Sequence, residues 1–231
     1  MILKSLREEV LEANLELVRR GLVLYTFGNA SGIDRKKGLI AIKPSGVPYE
    51  SMKPEDIVVV SIDGKIVDGT LRPSSDLPTH LVLYQSFAGI GGVAHTHSRA
   101  ATAWAQAHRE IPSFGTTHAD YFRGSVPLTR SLTPTEIRFS YELNTGRAII
   151  RRFAKLNPFQ VPAVLVAGHA PFSWGDTPLK AAHVAVVLEE IAALALQTIA
   201  VNPKARAICK PLHEKHFLRK HGSAAYYGQK G

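Results

Sequence analysis

Cysteine is almost absent from this sequence, which has only Cys209 among its 231 residues. A single thiol cannot form an intramolecular disulfide, so a disulfide-stapled fold is excluded and the composition is compatible with a reducing compartment. We expect Cys209 itself to be incidental rather than catalytic.

Long hydrophobic runs are also missing, apart from residues 181–200. His183, Glu189, Glu190 and Gln197 interrupt that run, which favours a buried helix over a membrane span. Acidic side chains among the first nine residues stand where a secretory signal would have an apolar block. We therefore expect no secretion, no membrane partner and a cytoplasmic location.

A nucleic-acid-binding pattern is missing as well, although the formal net charge is +9. The basic residues are scattered rather than striped, and no aromatic residues are interleaved with them. The densest basic group lies between residues 204 and 220. An anionic small substrate such as a sugar phosphate explains this charge at least as well as a nucleic acid, which we do not expect as a partner.

Apolar spacing predicts helices that alternate with short strands over one domain, residues 1–231, without repeats or a compositional break. The predicted helices are 6–17, 77–87, 100–108 and 178–200. The predicted strands are 39–42, 57–62, 65–67, 93–97 and 163–167. The turn Asp63-Gly64 predicts a hairpin. Hairpins mixed with helices favour an α/β domain whose central sheet is mixed but largely antiparallel.

The sharpest chemical signal is His95-Thr96-His97, at the end of the predicted strand 93–97. Residues two apart in a strand share a face, so the two imidazoles are expected to converge. Two neutral imidazoles with a nearby acid suit a divalent transition metal such as zinc. The alternative is a pair of polar residues on the exposed face of an edge strand.

Two further residues are candidate ligands. His169 follows the predicted strand 163–167 and is placed to bring a third imidazole from a neighbouring strand; the alternative is an ordinary structural histidine. Asp76 lies in the first turn of the predicted helix 77–87 and is a candidate oxygen ligand. The alternative there is that Ser75 caps the helix and Asp76 only matches its dipole.

Three small polar turns are candidates for binding a phosphate: residues 28–32, Lys43-Pro44-Ser45-Gly46, and Ser74-Ser75. Glycine allows close approach of the backbone, hydroxyls donate hydrogen bonds, and a helix start favours an anion. Each turn alone is an ordinary loop, whereas three beside a metal motif indicate a phosphate pocket. Lys43 has a rival interpretation as the Schiff-base lysine of a metal-free aldolase.

A polar segment at 116–121 contains Asp120, a candidate general acid/base if it is held near a metal. His118 is either a further ligand or a group that orients Asp120. Glu142 is a second candidate acid. Solvated surface is the alternative for both Asp120 and Glu142.

Together these motifs resemble the L-ribulose-5-phosphate 4-epimerases of the class II aldolase/epimerase superfamily, essentially from end to end. The segments that carry the resemblance are, in order, 28–31, 43–46, 73–76, 95–98, 115–121 and 218–229. Several motifs in one order are far more specific than any of them alone. The resemblance implies a single three-layer α/β/α domain.

The resemblance also implies roles for individual residues. The metal positions are Asp76, His95, His97 and His169, with zinc expected first and manganese or cobalt as alternatives. The phosphate-pocket positions are Gly28, Asn29, Ser45, Gly46, Ser74 and Ser75, to which we add Lys43 as a candidate for substrate binding. The acid/base positions are Asp120 and Tyr227, and the accessory polar positions are Thr116, Glu142 and His216.

The superfamily places the tyrosine in the site of a neighbouring subunit of a fourfold homotetramer, so that sites lie at subunit interfaces. Without the resemblance, Tyr227 would be an ordinary residue of a frayed tail. An aldolase of the superfamily would carry glutamate at Asp76, so the aspartate favours an epimerase.

The chemistry of such a reaction constrains the site. In a 2-ketopentose phosphate, C4 is not adjacent to the carbonyl, so its hydrogen is not acidic. Cleavage of the C3–C4 bond followed by re-addition of glycolaldehyde phosphate can invert C4. A divalent metal would stabilise the enediolate formed on cleavage. Two proton-transfer groups would serve the two configurations of the C4 alkoxide. The expected reaction converts L-ribulose 5-phosphate to D-xylulose 5-phosphate. The alternatives are a class II aldolase acting on a related deoxyketose 1-phosphate and a non-catalytic basic binding module.

Overall fold

A computed structural model describes residues 1–223 and 225–227, within which the chain forms eight α-helices and seven β-strands. The helices are α1 (Lys4–Arg19), α2 (Leu77–Ser86), α3 (Arg99–Gln106), α4 (Thr116–Ala119), α5 (Pro134–Arg138), α6 (Tyr141–Arg152), α7 (Pro178–Val201) and α8 (Lys210–His221). The strands are β1 (Asn29–Asp34), β2 (Leu39–Ile42), β3 (Val58–Ser61), β4 (Ile66–Asp68), β5 (Gly92–His95), β6 (Ala163–Leu165) and β7 (Pro171–Gly175). Ala224, Gly228 and Gln229 of the tail motif lie outside the described residues.

The strands form one sheet in the order β4-β3-β2-β1-β5-β7-β6. Every pairing between these strands is antiparallel. The parallel component in the described part of the chain is limited to an isolated bridge between Leu128 and Leu165. The expectation of a largely antiparallel sheet is confirmed, and the hairpin at Asp63-Gly64 joins β3 to β4 as predicted.

Helices cover both faces of the sheet. The face that carries Ala30, Ala41 and Ala94 packs on α1 and α7, where small side chains let the helices approach closely. The opposite face carries larger residues, including Ile40 and Val60, and packs into the main core with α2 and α6. The result is the expected three-layer α/β/α arrangement.

β1 is the main correction to the sequence prediction, because residues 28–32 were expected to form a turn. They instead enter a central strand that pairs with both β2 and β5. Gly32 is needed there for packing: a Cβ at this position would lie 2.5 Å from Cγ of Pro178 and 2.8 Å from Cδ1 of Leu6. Small polar residues therefore form a buried strand, although their local propensity for one is weak.

α7 forms where the apolar run predicted a helix, and it packs on α1, α3, β5 and β7. Within the described ranges it is the helix that is long and apolar enough to cross a membrane by length and composition. Its buried side, which includes Val184, Leu188 and Ile191, contributes to the main core. About a third of its most apolar stretch is buried in this way.

Candidate metal centre and active-site cleft

Most of the predicted site residues line one cleft of about 500 Å³. It lies where β1 begins, where β2 and β5 end, and where α2 and α6 begin. The predicted residues in its lining are Gly28, Asn29, Lys43, Ser45, Gly46, Ser74, Ser75, Asp76, His95, His97, Glu142 and His169. The cleft therefore brings imidazole nitrogens and carboxylate oxygens together with hydroxyl groups and the ammonium group of Lys43.

The register of the sheet sets the floor of this cleft. Asn29 of β1 pairs with His95 of β5, and His95 pairs with Phe172 of β7. Residues directly opposite one another on neighbouring strands share a face, so these three side chains form a row on one side of the sheet. The row ends beside the turn between β6 and β7, which carries His169.

His95, His97 and His169 form a compact cluster. Their ring centroids are 4.9 to 5.0 Å apart, and one potential ligand nitrogen from each ring lies within 4.8 Å of the others. The rings converge as predicted, but strand alternation is not the reason, because β5 ends at His95 and His97 lies in the following loop. His169 reaches the cluster because Gly168, with φ of +69°, bends the turn before it.

The protein holds the ring of His95 in one orientation. Its Nδ1 donates a hydrogen bond of 2.8 Å to the carbonyl oxygen of Pro171, and the ring stacks on Phe172 at 4.1 Å. Because a carbonyl only accepts, the neutral ring carries its proton on Nδ1 and its lone pair on Nε2, which faces Nε2 of His97. A backbone partner of this kind is usual for metal-binding histidines.

The remaining imidazoles also have properties suited to metal binding. Burial, reinforced by the neighbouring histidines, lowers the pKa of His169 to about 3 and places that of His97 below its ordinary value. Both rings are therefore neutral at pH 7, which is the form that ligates a metal. Nδ1 of His169 is buried without a hydrogen-bond partner among the described residues. The donor set fits a divalent metal.

Asp76 lines the same cleft beside the three histidines. Its Oδ2 accepts a 2.7 Å hydrogen bond from Nδ2 of Asn29. Burial by itself would raise the pKa of Asp76, but the fields of His95 and His80 and the bond from Asn29 outweigh it, so the pKa lies below its ordinary value. The carboxylate is ionised at neutral pH and adds negative charge next to the imidazoles.

The expectation that Ser75 caps α2 is wrong, because the N-cap residue of this helix is Asp76. No side chain makes the capping hydrogen bond, and Oγ of Ser74 instead accepts a 3.3 Å bond from the backbone N–H of Asp76. The side chains of Ser75 and Asp76 are thus not occupied in capping and remain available to the cleft.

The turns around Ser45 and Ser74 are joined to each other. The backbone N–H of Ser74 donates to the carbonyl of Lys43, that of Ser45 donates to Arg72, and Pro44 forms an isolated bridge with Pro73. This pairing brings the two serine-containing turns to one end of the cleft. The side chains of Ser45, Ser74 and Ser75 line it together.

Lys43 is a buried cation at this end. Its Nζ donates to the carbonyls of Pro44 and Val47 at 3.2 and 3.1 Å and lies 4.6 Å from the ring centroid of Tyr49. Burial lowers the pKa of Lys43 to about 8. The ammonium form therefore still predominates at neutral pH, held by the two carbonyls.

Asp120, Tyr227, Thr116 and His216 do not line the cleft of their own chain. Asp120 ends α4, the helix that begins at Thr116, and its carboxylate is bound by Arg219 and His216 of α8. Burial would raise the pKa of Asp120, but these hydrogen bonds outweigh it and hold the pKa below its ordinary value. Tyr227 follows α8 and is exposed.

The two interpretations of His118 are not supported. Its Nε2 bonds to the carbonyl oxygen of Gly124 at 2.8 Å, and its ring packs on Phe122. It belongs neither to the histidine cluster nor to the group of side chains that bind Asp120. The structural role that a lone histidine often has is the one found here.

Sequence reasoning missed several residues of the cleft. Tyr141 lines it, with its ring 5.9 Å from that of His169, and Phe27 lies 6.4 Å from the ring of His97. Phe172 supports His95, but β7 was not predicted, so no local signal marked it. The position of Tyr141 next to Glu142 at the start of α6 was the available signal for that residue.

Comparison with known proteins gives a consistent result. The model of the family described as "Class II Aldolase and Adducin N-terminal domain" matches residues 8–196. The chain is 53% identical over 228 residues to proteins named L-ribulose-5-phosphate 4-epimerase UlaF from Salmonella paratyphi B and Salmonella typhi, covering 99% of this chain and 100% of each relative.

Solved structures have the same fold. An L-fuculose 1-phosphate aldolase superposes with a TM-score of 0.78 at 26% identity, covering 92% of this chain and 94% of the aldolase. YgbL from Klebsiella pneumoniae, described as a putative aldolase/epimerase/decarboxylase, superposes with a TM-score of 0.73 at 24% identity, covering 93% and 99%. The second likeness bears on the fold alone.

Proposed function

This chain belongs to the class II aldolase family, and we propose that it is a metal-dependent enzyme that inverts C4 of L-ribulose 5-phosphate to give D-xylulose 5-phosphate. The observation that carries the proposal is the cluster of His95, His97 and His169 beside Asp76, in a cleft that is also lined by serine- and glycine-containing turns. The relatives named as epimerases match over the whole chain.

The three histidines are the nitrogen ligands of a divalent metal in this proposal, and Asp76 is the oxygen ligand. Zinc is expected first, because neutral imidazoles with one carboxylate suit it; manganese and cobalt accept the same donors. When bound, such a metal supplies Lewis-acid stabilisation of developing negative charge. Asn29 holds the carboxylate of Asp76 in place through the bond to Oδ2.

The phosphate of the substrate is assigned to the serine- and glycine-containing turns that line the cleft. Hydroxyls of Ser45, Ser74 and Ser75 are the proposed donors, and Gly28 and Gly46 allow close approach of the backbone. Asn29 is a further proposed pocket residue. The Lys43 ammonium adds positive charge nearby. Because Nζ of Lys43 is tied to two backbone carbonyls, it serves better as a fixed charge than as a Schiff-base nucleophile.

The reaction breaks and re-forms the C3–C4 bond, since C4 carries no acidic hydrogen. The phosphate-binding residues retain glycolaldehyde phosphate after cleavage, so that it presents the other face of its carbonyl for re-addition. Retention of the fragment at high effective concentration favours recombination over release. The two groups proposed to transfer protons at the alternative C4 oxygens are Asp120 and Tyr227.

Asp120 and Tyr227 are proposed to act in the cleft of a neighbouring subunit, within a homotetramer whose active sites lie at subunit interfaces. The support from this chain is that both groups lie away from its own cleft, together with the accessory residues Thr116 and His216. Glu142 is the accessory residue that lines the cleft of its own chain. The scarcity of cysteine and the sugar-phosphate substrate favour a cytoplasmic location.

The decisive experiment is a coupled assay of L-ribulose 5-phosphate conversion, with and without a chelator. We expect D-xylulose 5-phosphate to form and the activity to be lost on chelation and restored by a divalent metal. Accumulation of free aldehyde without the C4 epimer would instead identify an aldolase. A purified protein without divalent metal, and without activity that chelation removes, would indicate a non-catalytic binding module.

A further inference from the structure

Arg219, in the last turn of α8, is in contact with both proposed proton-transfer groups. Its guanidinium binds the carboxylate of Asp120 on one side and lies over the ring of Tyr227 on the other. Arg219 lies in the tail segment 218–229, but the sequence predicted no role for it, because nothing local shows its contact with the distant Asp120. The contacts place one cation between two groups that are 107 residues apart in sequence.

The contact with Asp120 is bidentate. Nε of Arg219 donates to Oδ1 at 3.0 Å, and Nη2 donates to Oδ2 at 2.7 Å. Only the planar fork of arginine satisfies both carboxylate oxygens at once, so the plane of the carboxylate is fixed as well as its position. Both side chains are largely shielded from solvent, with 23% and 11% exposure for Arg219 and Asp120.

The contact with Tyr227 combines the side chain and the backbone. The guanidinium carbon lies 4.5 Å from the ring centroid of Tyr227, within the range of a cation–π interaction. The carbonyl oxygen of Arg219 accepts the backbone N–H groups of Tyr226 and Tyr227 at 3.0 and 3.1 Å. The chain after α8 therefore folds back over Arg219, and the tyrosine is positioned by the same residue that holds the aspartate.

We infer that Arg219 is a positioning residue that holds Asp120 and Tyr227 as one proton-transfer unit, delivered to a cleft by a single subunit. The inference rests on the proposed function for the roles of these two groups. Replacement of Arg219 should lower the efficiency of both groups, because both lose the side chain that holds them in place.

The geometry also assigns the oxygen that exchanges a proton. Among the described residues, Oδ1 of Asp120 accepts two hydrogen bonds, from Arg219 and from Nδ1 of His216, whereas Oδ2 accepts one. A carboxylate oxygen has two lone pairs. Oδ2 thus retains one lone pair, and Arg219 sets the direction in which it points.

The test compares Arg219→Gln and Arg219→Lys with the wild type in C4 epimerisation of L-ribulose 5-phosphate, measuring kcat, KM and bound metal. We expect Arg219→Gln to lower kcat by about 10²-fold, the scale of a 1 Å misplacement of a catalytic group. KM and metal content should stay near the wild-type values, because the cleft lies elsewhere in the chain. Arg219→Lys should recover part of kcat, since it keeps the charge but not the fork.

A double variant separates positioning from a merely structural effect. Asp120→Asn combined with Arg219→Gln should lose less kcat than the product of the two single losses, because part of the effect of Arg219 acts through Asp120 and the rest through Tyr227. Multiplication of the two losses, or wild-type kcat in Arg219→Gln, would overturn the inference. Arg206→Gln, at an exposed arginine before α8, is the matched control and should keep wild-type kinetics.

Hydrogen exchange gives a readout that does not depend on activity. Glutamine keeps the backbone carbonyl that accepts the amides of Tyr226 and Tyr227 but removes the guanidinium–ring contact. If that contact holds the segment, the two amides should exchange faster in Arg219→Gln than in the wild type, and unchanged exchange would contradict the coupling. If the wild type does not convert the substrate, the proposed function fails, and the exchange result alone then decides whether Arg219 holds the tyrosine. If Arg219→Gln folds poorly, Arg219→Lys decides by the same two measurements.

Discussion

The Nε2 atoms of His95 and His97 lie 3.1 Å apart. Two nitrogens bound to one tetrahedral metal at about 2.0–2.1 Å are separated by about 3.3 Å. The two nitrogens therefore already have nearly the spacing that a shared metal requires. Nδ1 of His95 is engaged by Pro171, so that ring has no need to reorient on binding.

Replacement of both His95 and His97 by alanine should abolish metal binding and nearly all activity. Removing two nitrogen ligands leaves one imidazole and a carboxylate, too few for a stable site. Metal content of the purified protein, measured by elemental analysis, checks this. His183→Ala, at an exposed histidine on α7, should keep its metal, and full metal retention in the double variant would refute the ligand assignment.

Asp120→Asn should retain metal and lose turnover by about 10²–10⁴-fold, the usual contribution of a general acid/base group. An amide keeps most of the shape and cannot exchange the proton. The matched control is Asp63→Asn, in the exposed turn between β3 and β4. Equal activity in the Asp120 variant and the wild type would remove Asp120 from the mechanism.

Ser75→Ala should mainly raise the apparent KM for L-ribulose 5-phosphate. Loss of one hydrogen bond to a charged group costs about 1.5–3 kcal/mol, or about 10- to 100-fold in KM. Steady-state kinetics check this against Ser51→Ala, whose exposed hydroxyl bonds only to Pro48 among the described residues. An unchanged KM would argue against a phosphate pocket at Ser75.

The pH dependence of substrate binding should report on Lys43. Burial lowers its pKa to about 8, so its positive charge is lost as the pH rises through that value. Affinity for the sugar phosphate should then fall above about pH 8. Lys43→Met should have weak affinity throughout and lack this decline, and a decline of the same size in the variant would assign it to another group.

The lowered pKa of Lys43 also makes the free energy of unfolding depend on pH. The pKa of Lys43 is lower in the folded chain than its ordinary 10.5, so the unfolded chain binds more protons between about pH 8 and 10.5. The contribution of Lys43 to the free energy of unfolding therefore rises with pH across this window. Denaturant unfolding should show this rise in the free energy of unfolding for the wild type and not for Lys43→Met.

Much of the fold was predictable because its signals are local. The hairpin of β3 and β4 follows from an Asp-Gly turn between apolar runs, and α7 follows from its apolar length. β1 was not predictable in this way, since its small polar residues are held as a strand by partners on both sides. The isolated segment has no apolar periodicity that would reveal a strand.

The sequence by itself determined which chemical groups are available: a histidine pair two residues apart, a nearby acid, hydroxyl-bearing turns and a near absence of thiols. Only the tertiary structure decided where those groups meet. In the folded chain His169, which lies in a turn 72 residues beyond His97, joins the same cluster. Asp120 does not line the cleft and instead binds Arg219. Residue type and spacing act over a few positions, whereas contacts between distant segments depend on the register of the sheet and the packing of helices on it.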